Sequence, residues 1–440
     1  MADETLFPLV EAKGTDDEKA VPTGLPRIQF AVRNQVEILM TDLDSLIPAE
    51  HQVRIVWSFM EGQDLDALYA RILARGSSPG RPVIDPRILV ALWLNATLDG
   101  VGSARELERR CEEEVGYKWL CGGVSVNYHT LSDFRVAHGD FLDDMLRRDV
   151  AGLMAEGLVD LNRVAQDGMR VRASAGAGSY RRVPTLEQCL EEAQTQVERL
   201  RKELEQSPGA GTKRERAARE RAVRERLERV EQALAISEEL KAKKSGKDKD
   251  KVRVSTTDPE VPVMKMGDGG FRPAANVELA TDTGSQIITG VDVTNRGTDM
   301  GEMAPMVEQH HEHYETYPGE ILVDGGFAKK EDIEEVSGPD KGCTVYAPVP
   351  KPKKKDRDRF EALPGDSAAV AAWRQRMGTD EAKEIYKERA STAECVNAIA
   401  RNRGLRQFTV RGLKKIRAVV LWYVLAHNLM RAHGLRAAMA

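Results

Sequence analysis

The spacing of apolar and polar residues divides the chain into regions of different period. From Gln29 to about Gly157, apolar residues recur at helical spacing behind helix-start signals, among them Asp85-Pro86. From about Arg163 onward, short segments with alternating or continuous apolar residues indicate strands, and helical segments lie between them. The pattern therefore predicts an all-helical region followed by an α/β region.

A third pattern interrupts the α/β region. Apolar residues recur at steps of three and four on both sides of residues 207–211, which predicts an antiparallel helical hairpin with a heptad-like seam. The lysine-rich residues 241–251 follow, and both a solvated linker and a segment that tracks phosphates fit their composition. Hairpin and linker form an insertion that could also mediate self-association.

Composition limits the class of protein. The 440 residues are enough for two or three domains, and 41% hydrophobic with 31% charged residues indicates a highly charged globular chain. The net charge of −5 argues against a general polyanion binder. Any contact with nucleic acid must therefore use local basic patches.

The cysteines and the apolar runs bear on location. The five cysteines are scattered and form no Cys-x2-Cys pair, which favours a reducing compartment and argues against a zinc site. Residues 1–26 are polar and acidic, so they show no signal peptide and are expected to be disordered. The longest apolar run, residues 418–426, is too short to span a bilayer. These features predict a cytoplasmic protein.

Two aspartates mark candidate sites in the α/β region. Asp167 lies among alternating apolar residues, so it is either the middle of a strand or, with Gly168, part of a hairpin turn. Asp324 follows a short apolar run and precedes two glycines. This position is the carboxyl end of a buried strand, where open α/β sheets bind ligands, although a helix N-cap fits it too. Asp292 is a rival acid that we interpret as outward-facing or at a strand end.

Histidines 310, 311 and 313 form a further cluster. Their spacing does not match a His-x3-His metal pair, and no convergent ligands accompany them, so they are predicted to lie on a helix surface.

A third candidate site is carried by a helix that the sequence predicts from Tyr386 to Gly404. At about 100° per residue, five polar side chains share one face within roughly 140°. A carboxylate can bind Mg²⁺ and an arginine can clamp phosphate, although a solvated helix face would look the same. The side chains on this face are Tyr386, Arg389, Glu394, Asn397 and Arg401.

The helical region offers a DNA-binding hypothesis. Ser103-x-x-Glu106 and Thr130-x-x-Asp133 are helix starts, the second helix is predicted to run to about residue 156, and a turn through residues 116–123 separates the two helices. The arrangement fits a helix-turn-helix and equally an ordinary helical bundle. Three aromatic residues near the turn, Tyr117, Trp119 and Tyr128, could stack on bases or belong to the core.

The pattern Tyr386-x2-Arg389-x4-Glu394-x6-Arg401 resembles the last motif of the DDE-type transposases of bacterial insertion sequences, Tyr-x2-Arg-x3-Glu-x6-Lys. This chain has one extra residue before the glutamate, and arginine replaces the final lysine. Segments around Asp167 and Asp324 are similar to the other two acidic motifs, in the same order.

The resemblance implies a fold and a domain layout. The fold is a ribonuclease-H-like α/β catalytic core with an N-terminal all-helical DNA-binding domain and an inserted antiparallel helical hairpin. The expected domains are a disordered lead at 1–26, a helical domain at 27–157, a catalytic domain at 158–184 and 252–440, and the insertion at 185–251.

The resemblance also implies an activity. Asp167, Asp324 and Glu394 would be the catalytic, metal-binding acids of an enzyme that cuts and joins DNA with two Mg²⁺ ions, for which Mn²⁺ could substitute. A DNA-binding protein with an inactive core and a metal-dependent nuclease are the alternatives. Expected partners are the double-stranded transposon ends, target DNA and a second copy of the chain, and no membrane. The protein would be associated with the nucleoid when it is bound to DNA. The expected DNA- or phosphate-binding residues are Tyr386, Arg389, Asn397, Arg401, Arg135, Lys353 and Lys354.

Overall fold

A computed structural model describes residues 40–73, 82–206, 212–352 and 357–439. The chain divides into two compact units, residues 1–42 and residues 43–440, and the elements below all belong to the second unit. The acidic lead predicted at residues 1–26 lies outside the described residues.

The first part of the larger unit is helical, as predicted. Two local details differ from the prediction. The segment expected to be a turn contains helix α5, and the helix expected from Thr130 to Glu156 is two helices, because His138 (φ −121°, ψ 35°) leaves the helical conformation. The helices are α1 (Gln52–Glu61), α2 (Asp66–Tyr69), α3 (Pro86–Leu98), α4 (Ala104–Glu113), α5 (Val115–Cys121), α6 (Tyr128–Ala137) and α7 (Gly139–Ala155).

A curled mixed sheet of six strands follows. Its order is β4-β5-β1-β7-β8, with β6 paired on β5. Strand β5 is antiparallel to β1, β4 and β6, whereas β7 is parallel to β1 and to β8. The strands are β1 (Arg163–Arg172), β4 (Val263–Lys265), β5 (Phe271–Asp282), β6 (Ile288–Thr294), β7 (Glu320–Leu322) and β8 (Thr344–Tyr346); β2 (Tyr180–Arg181) and β3 (Val254–Ser255) form a separate pair.

The predicted pair of long helices, α8 (Val183–Gln206) and α9 (Lys213–Ala242), lies between β2 and β3 in the chain. The two helices are antiparallel, because Arg219 contacts Glu203 and Arg226 contacts Glu192. A capping box starts α9: Thr212 Oγ1 accepts from the Glu215 amide and Glu215 Oε2 accepts from the Thr212 amide. A small core at the base, Leu186, Ala233, Val252 and Val254, anchors the pair.

The last helix joins the helical layer to the sheet. Helix α15 packs on α3, α6 and α7 on one side and on β6 on the other. Its middle is buried on all sides, which is typical of a helix that is apolar nearly all round. Trp422 Nε1 donates to Arg135 O at 2.9 Å inside this shared core. The remaining helices are α10 (Met303–Tyr314), α11 (Lys330–Val336), α12 (Ala368–Met377), α13 (Asp380–Arg389), α14 (Cys395–Asn402) and α15 (Leu413–Met439).

Length and hydropathy together rule out a transmembrane helix in every part of the chain that the structure describes.

Candidate active site

Asp167 lies in the middle of strand β1. It pairs with Leu279 on the antiparallel strand β5, so the strand interpretation is confirmed and the hairpin-turn interpretation is wrong. Only 17% of its side chain is exposed. Because a buried carboxylate is costly without partners, its hydrogen bonds decide how it is held.

Two side chains from the helices after β8 hold Asp167. Arg389, the last residue of α13, donates from Nη2 to Asp167 Oδ1 at 2.8 Å. Asn397, on α14, donates from Nδ2 to Asp167 Oδ2 at 2.8 Å. Both carboxylate oxygens therefore accept a hydrogen bond from residues more than two hundred positions later in the chain.

Asp324 lies just beyond the carboxyl end of β7. The parallel pairing of β7 with both β1 and β8 places this end at the same sheet edge as the middle of β1. The amide of Gly326 donates to Asp324 Oδ1 at 2.6 Å, so the carboxylate closes a tight turn. Asp324 thus has the sheet-edge position that its sequence predicted.

The charges at this edge act on one another. Burial raises the pKa of Asp167, the guanidinium of Arg389 opposes that rise, and the carboxylate of Asp324 adds to it. Burial likewise raises the pKa of the Tyr386 hydroxyl, which the charges of Arg389, Asp324 and Asp167 also influence. Asp167, Asp324, Tyr386 and Arg389 therefore share one electrostatic environment.

Glu394 reaches the same group through a π-helical segment. Residues Ala390–Glu394 form a π-helix between α13 and α14. A π-helix adds a residue to a helical turn, and such insertions are frequent at functional sites. Arg389 Nη1 donates to Glu394 Oε1 at 3.3 Å although the two residues are five positions apart. The π-helical turn accommodates the extra residue of the motif. The side chain of Glu394 is 62% exposed.

The structure thus brings four of the predicted residues, Asp167, Arg389, Glu394 and Asn397, into one hydrogen-bonded network. Asn397 is 3% exposed, so it positions Asp167 and is not placed for the DNA contact predicted for it. Tyr386 is half-buried against the apolar core under the site, and Arg401 is exposed on α14 outside the network. Lys353 and Lys354 lie outside the described residues.

Arg135 is not a surface residue. It is 7% exposed, its Nη1 donates to Gly102 O at 2.6 Å, and its guanidinium lies 4.7 Å from the centre of the Trp93 ring. Arg135 is therefore used inside the helical layer and is not placed for the phosphate contact predicted for it.

The aromatic residues of the helical region divide between core and surface. Tyr117 is buried and donates to Asp99, as a core residue. Trp119 packs edge-on against Trp57. Tyr128 is half-buried at the start of α6, and the guanidinium of Arg105 lies 4.9 Å from its ring centre.

The rival acid and the histidine cluster have local roles. Asp292 lies within β6, and its Oδ1 accepts from the Val293 amide. His310 is buried and contacts Thr289 Oγ1 and Met306 O, so the prediction that this histidine lies on a helix surface is wrong. The apolar residues around it bury one face of α10 against β6.

A pair of carboxyl groups that the sequence reasoning missed lies beside Asp167. A β-carbon placed on Gly168 would lie 2.6 Å from Asp299 Oδ1 and 2.8 Å from Glu278 Oε1. A β-carbon on Gly326 would lie 2.9 Å from Asp324 Oδ1 and 3.4 Å from Asp299 Oδ2. Asp299 therefore reaches the glycines that follow both acidic motifs.

A buried amide holds this pair. Asn276 Nδ2 donates to Glu278 Oε1 and to Asp299 Oδ1, both at 2.7 Å. Burial raises the pKa of Glu278 to about 9, and the carboxylate of Asp299 adds to the rise. A signal was present in the sequence, since Asn276 and Glu278 are the polar residues in an otherwise apolar stretch of β5.

The donor chemistry of the site fits a hard divalent cation. Asp167, Asp324 and Glu394 offer only oxygen ligands, which Mg²⁺ and Mn²⁺ prefer, and the buried Oδ1 of Asn397 has no hydrogen-bond partner in the described structure. Within the same described ranges, however, no group of three or more acidic, histidine or cysteine side chains is close enough to hold a metal ion. The guanidinium of Arg389 lies between Asp167 and Glu394 instead.

Comparison with known proteins adds two domain matches. Residues 41–137 match the model of a transposase domain (DUF772), and residues 341–433 match that of a transposase DDE domain. Together the matches support a DDE-type transposase of insertion sequences, a family that generally uses divalent metal ions.

The second match covers the network around Glu394, whereas Asp167 and Asp324 lie outside both matched ranges. No curated protein and no solved structure matches the chain.

Proposed function

We propose that this transposase binds the ends of an insertion sequence and catalyses metal-dependent DNA cleavage and strand transfer by in-line attack on phosphodiesters. One observation carries the proposal: the guanidinium of Arg389 hydrogen-bonds to both Asp167 and Glu394. This contact unites the first and third acidic motifs, and the charge of Asp324 acts on the same group.

The strand order supports a ribonuclease-H-like core. Three antiparallel strands, β6, β5 and β1, continue into the parallel strands β7 and β8. The domain layout that we propose keeps a helical domain at 27–157, a catalytic domain at 158–184 and 252–440, and the insertion at 185–251. Helix α15 lies in the catalytic part of this layout but packs into the helical layer, so the two domains share a core.

Asp167, Asp324 and Glu394 would hold Mg²⁺, two ions in our proposal, with Mn²⁺ as a substitute. When bound, the ions would activate the attacking oxygen and stabilise the charge on the leaving oxygen. The protein's part is to orient Asp167 and to oppose the burial-driven rise of its pKa, which Arg389 and Asn397 do through one hydrogen bond each.

The phosphate contacts in our proposal come from arginines at the site. Arg389 is only 11% exposed and already adjoins two acids, so it can exchange a carboxylate for a DNA phosphate without leaving the site. Arg401 is exposed on α14 and would contact the DNA backbone further out. The hydroxyl of Tyr386 would position DNA near the cut. DNA ends would bind the helical domain, whose α5 and α6 are joined by residues 122–127.

The test uses purified full-length protein, DNA carrying the terminal inverted repeats, and Mg²⁺ or Mn²⁺. Replacing Asp167, Asp324 or Glu394 with alanine should reduce cleavage by at least about a thousandfold, because each removes a ligand of the reacting centre. Binding of the same DNA, measured by gel shift, should persist. Glu361→Ala, an exposed acid elsewhere, is the matched control and should leave cleavage unchanged.

The same experiment separates the alternatives. Binding without cleavage by the parent chain would identify a DNA-binding protein with an inactive core. Cleavage without joining would identify a nuclease. Undiminished cleavage by any of the three alanine variants would refute the assignment of the catalytic acids.

A further inference from the structure

Positive charge is concentrated in the last part of the chain. Residues 395–440 contain nine lysines and arginines and no aspartate or glutamate, whereas the whole chain has a net charge of −5. A local excess of this kind is typical of a surface that binds an anion.

Two of these nine residues remain exposed and away from carboxylates. Five share a groove or an ion pair with carboxylates, and Arg403 and Arg431 are half-buried. Arg401 and Arg406 are exposed, and neither forms an ion pair with any residue that the structure describes. The five residues beside carboxylates are Arg411, Lys414, Lys415, Arg417 and Arg436.

A third exposed arginine, from a different element, lies next to these two. Arg172 is the last residue of β1, and it too has no ion pair within the described ranges. Its amide donates to Arg406 O at 3.3 Å, and its carbonyl accepts from the Phe408 amide at 2.8 Å. Arg406 Nε donates to Arg401 O at 3.0 Å. The backbones of the three arginines are therefore fixed side by side, and we call these residues the arginine cluster.

Two elements lead from the acidic residues of the site to the arginine cluster. Helix α14 begins directly after Glu394 and reaches Arg401 after a rise of about 10 Å. Because the two residues are seven positions apart, their exposed side chains lie within about 20° of each other on one helix face. Strand β1 leads from Asp167 to Arg172 over about 16 Å. DNA that lies at Glu394 would therefore pass over the cluster.

We propose that Arg172, Arg401 and Arg406 together bind the phosphates of one DNA strand, about three to five nucleotides from the phosphodiester that is cut. The number of nucleotides follows from a rise of about 3.4 Å per nucleotide along one strand. The inference rests on the proposed function, because it takes the acidic residues as the point of cleavage. It adds Arg172 and Arg406 to the contact proposed above for Arg401.

The chemistry of the cluster favours a phosphate backbone. Like charges that are fixed close together repel one another, so an anion bound between them is stabilised. Guanidinium groups bind phosphate oxygens through two parallel donors, which a lysine does not offer. Arg172 and Arg401 lie at the ends of a strand and of a helix, so they can bind neighbouring phosphates of one strand.

The test measures the dissociation constant of the full-length protein for a DNA end that carries the terminal inverted repeat, by fluorescence anisotropy without divalent metal. Arg172→Ala and Arg406→Ala should each weaken binding about five- to tenfold, because each removes a phosphate contact. The slope of the logarithm of affinity against the logarithm of salt concentration should fall by about one for each variant. Arg172→Lys and Arg406→Lys keep the charge and should retain most of the affinity.

Arg411→Ala is the matched control, because Arg411 is an exposed arginine of the same segment that shares a groove with Asp258 and Glu260. It should leave the dissociation constant unchanged. Neutral methylphosphonates, placed one at a time along the DNA, locate the contact. Those three to five nucleotides from the cut should weaken binding by the parent chain, but not binding by the double variant of Arg172→Ala and Arg406→Ala.

A cleavage assay separates positioning from a general loss of structure. With saturating DNA and Mg²⁺, the alanine variants should cleave within about twofold of the parent rate, because the cluster does not contact the reacting phosphate. Alanine variants that bind as tightly as the parent, or methylphosphonates that weaken the parent and the double variant equally, would overturn the cluster and leave the catalytic acids in place. Cleavage that does not need the acids would refute the proposed function, yet the alanine variants would still bind DNA more weakly. A parent chain that binds no DNA would refute both.

Discussion

A β-carbon on Gly168 would lie 2.6 Å from Asp299 Oδ1 and 2.8 Å from Glu278 Oε1, closer than β-carbons approach oxygen atoms in proteins. Those carboxyl groups are fixed in turn by the amide of Asn276. At the residue scale, the glycine after Asp167 is therefore needed for close approach and not for an unusual backbone angle.

Gly168→Ala tests this packing. The added methyl group must displace Asp299 or Glu278, so we expect a loss of about 1–3 kcal/mol in the free energy of unfolding and a clear fall in DNA cleavage. Gly176→Ala is the control, because its β-carbon would meet no atom within 4 Å. Equal stability of the two variants in urea denaturation would show that Gly168 is not packed as described.

Glu278 gives a pH-dependent prediction. Its pKa is raised to about 9 in the folded protein, mainly by burial, so the folded state binds a proton that the unfolded state releases above about pH 4.5. Its contribution to stability is therefore complete below that pH and is lost as the pH rises toward 9. Glu278→Gln stays neutral, so it should lose less stability over this interval.

The measurement compares the free energy of unfolding of the parent and of Glu278→Gln at several values between pH 5 and pH 9. As the pH rises, the free energy of unfolding of the parent should fall relative to that of the variant by up to about 1.4 kcal/mol per pH unit. The comparison cancels the titration of other groups. A difference that does not change with pH would show that Glu278 is ionised in the folded protein.

At the element scale, the π-helical segment Ala390–Glu394 explains how the motif tolerates its extra residue. Residues five apart lie on different sides of an α-helix, but the wider π-turn lets Arg389 reach Glu394. The sequence showed the additional residue, whereas its accommodation depends on contacts with β1 and β5 that are distant in the chain.

Deleting Ala390 tests this explanation. The shortened segment can continue as an α-helix with Arg389 and the glutamate four apart on one face, so folding and metal-dependent cleavage should be kept within about tenfold. Ala398 is an exposed position inside α14. Its deletion should instead rotate the following residues of the helix away from the core, so that their buried contacts are lost. Thermal melting and DNA cleavage measure both variants, and equal damage from the two deletions would contradict the π-helical interpretation.

Local patterns predicted some elements and missed others. The Ser103-x-x-Glu106 start signal located α4, and the apolar steps of three and four located α8 and α9. The strand at Asp167 was left open between two interpretations, because pairing with β5 decides it and β5 lies about a hundred residues later. Burial of Arg135 and His310 was missed for the same reason, since each is covered by other elements.

At the scale of the whole molecule, α15 ties the helical layer to the sheet. One apolar core includes residues from α3, α7, β5 and α15. The helical region and the proposed catalytic region therefore support each other, a relation that the division of the sequence by pattern did not predict. The grouping of residues 167, 324 and 394 at one site is a prediction that comes from the resemblance to transposases and not from any local pattern.

The measurement that bears most directly on the catalytic acids is diffraction from crystals of the protein with Mn²⁺ and a DNA end. Anomalous scattering locates Mn²⁺ without assumptions about the protein. We predict peaks within about 2.3 Å of carboxylate oxygens of Asp167, Asp324 and Glu394, with Arg389 moved from Asp167 toward a DNA phosphate. The proposed active site would be contradicted if Mn²⁺ were bound elsewhere, or if any one of these three acids did not coordinate Mn²⁺.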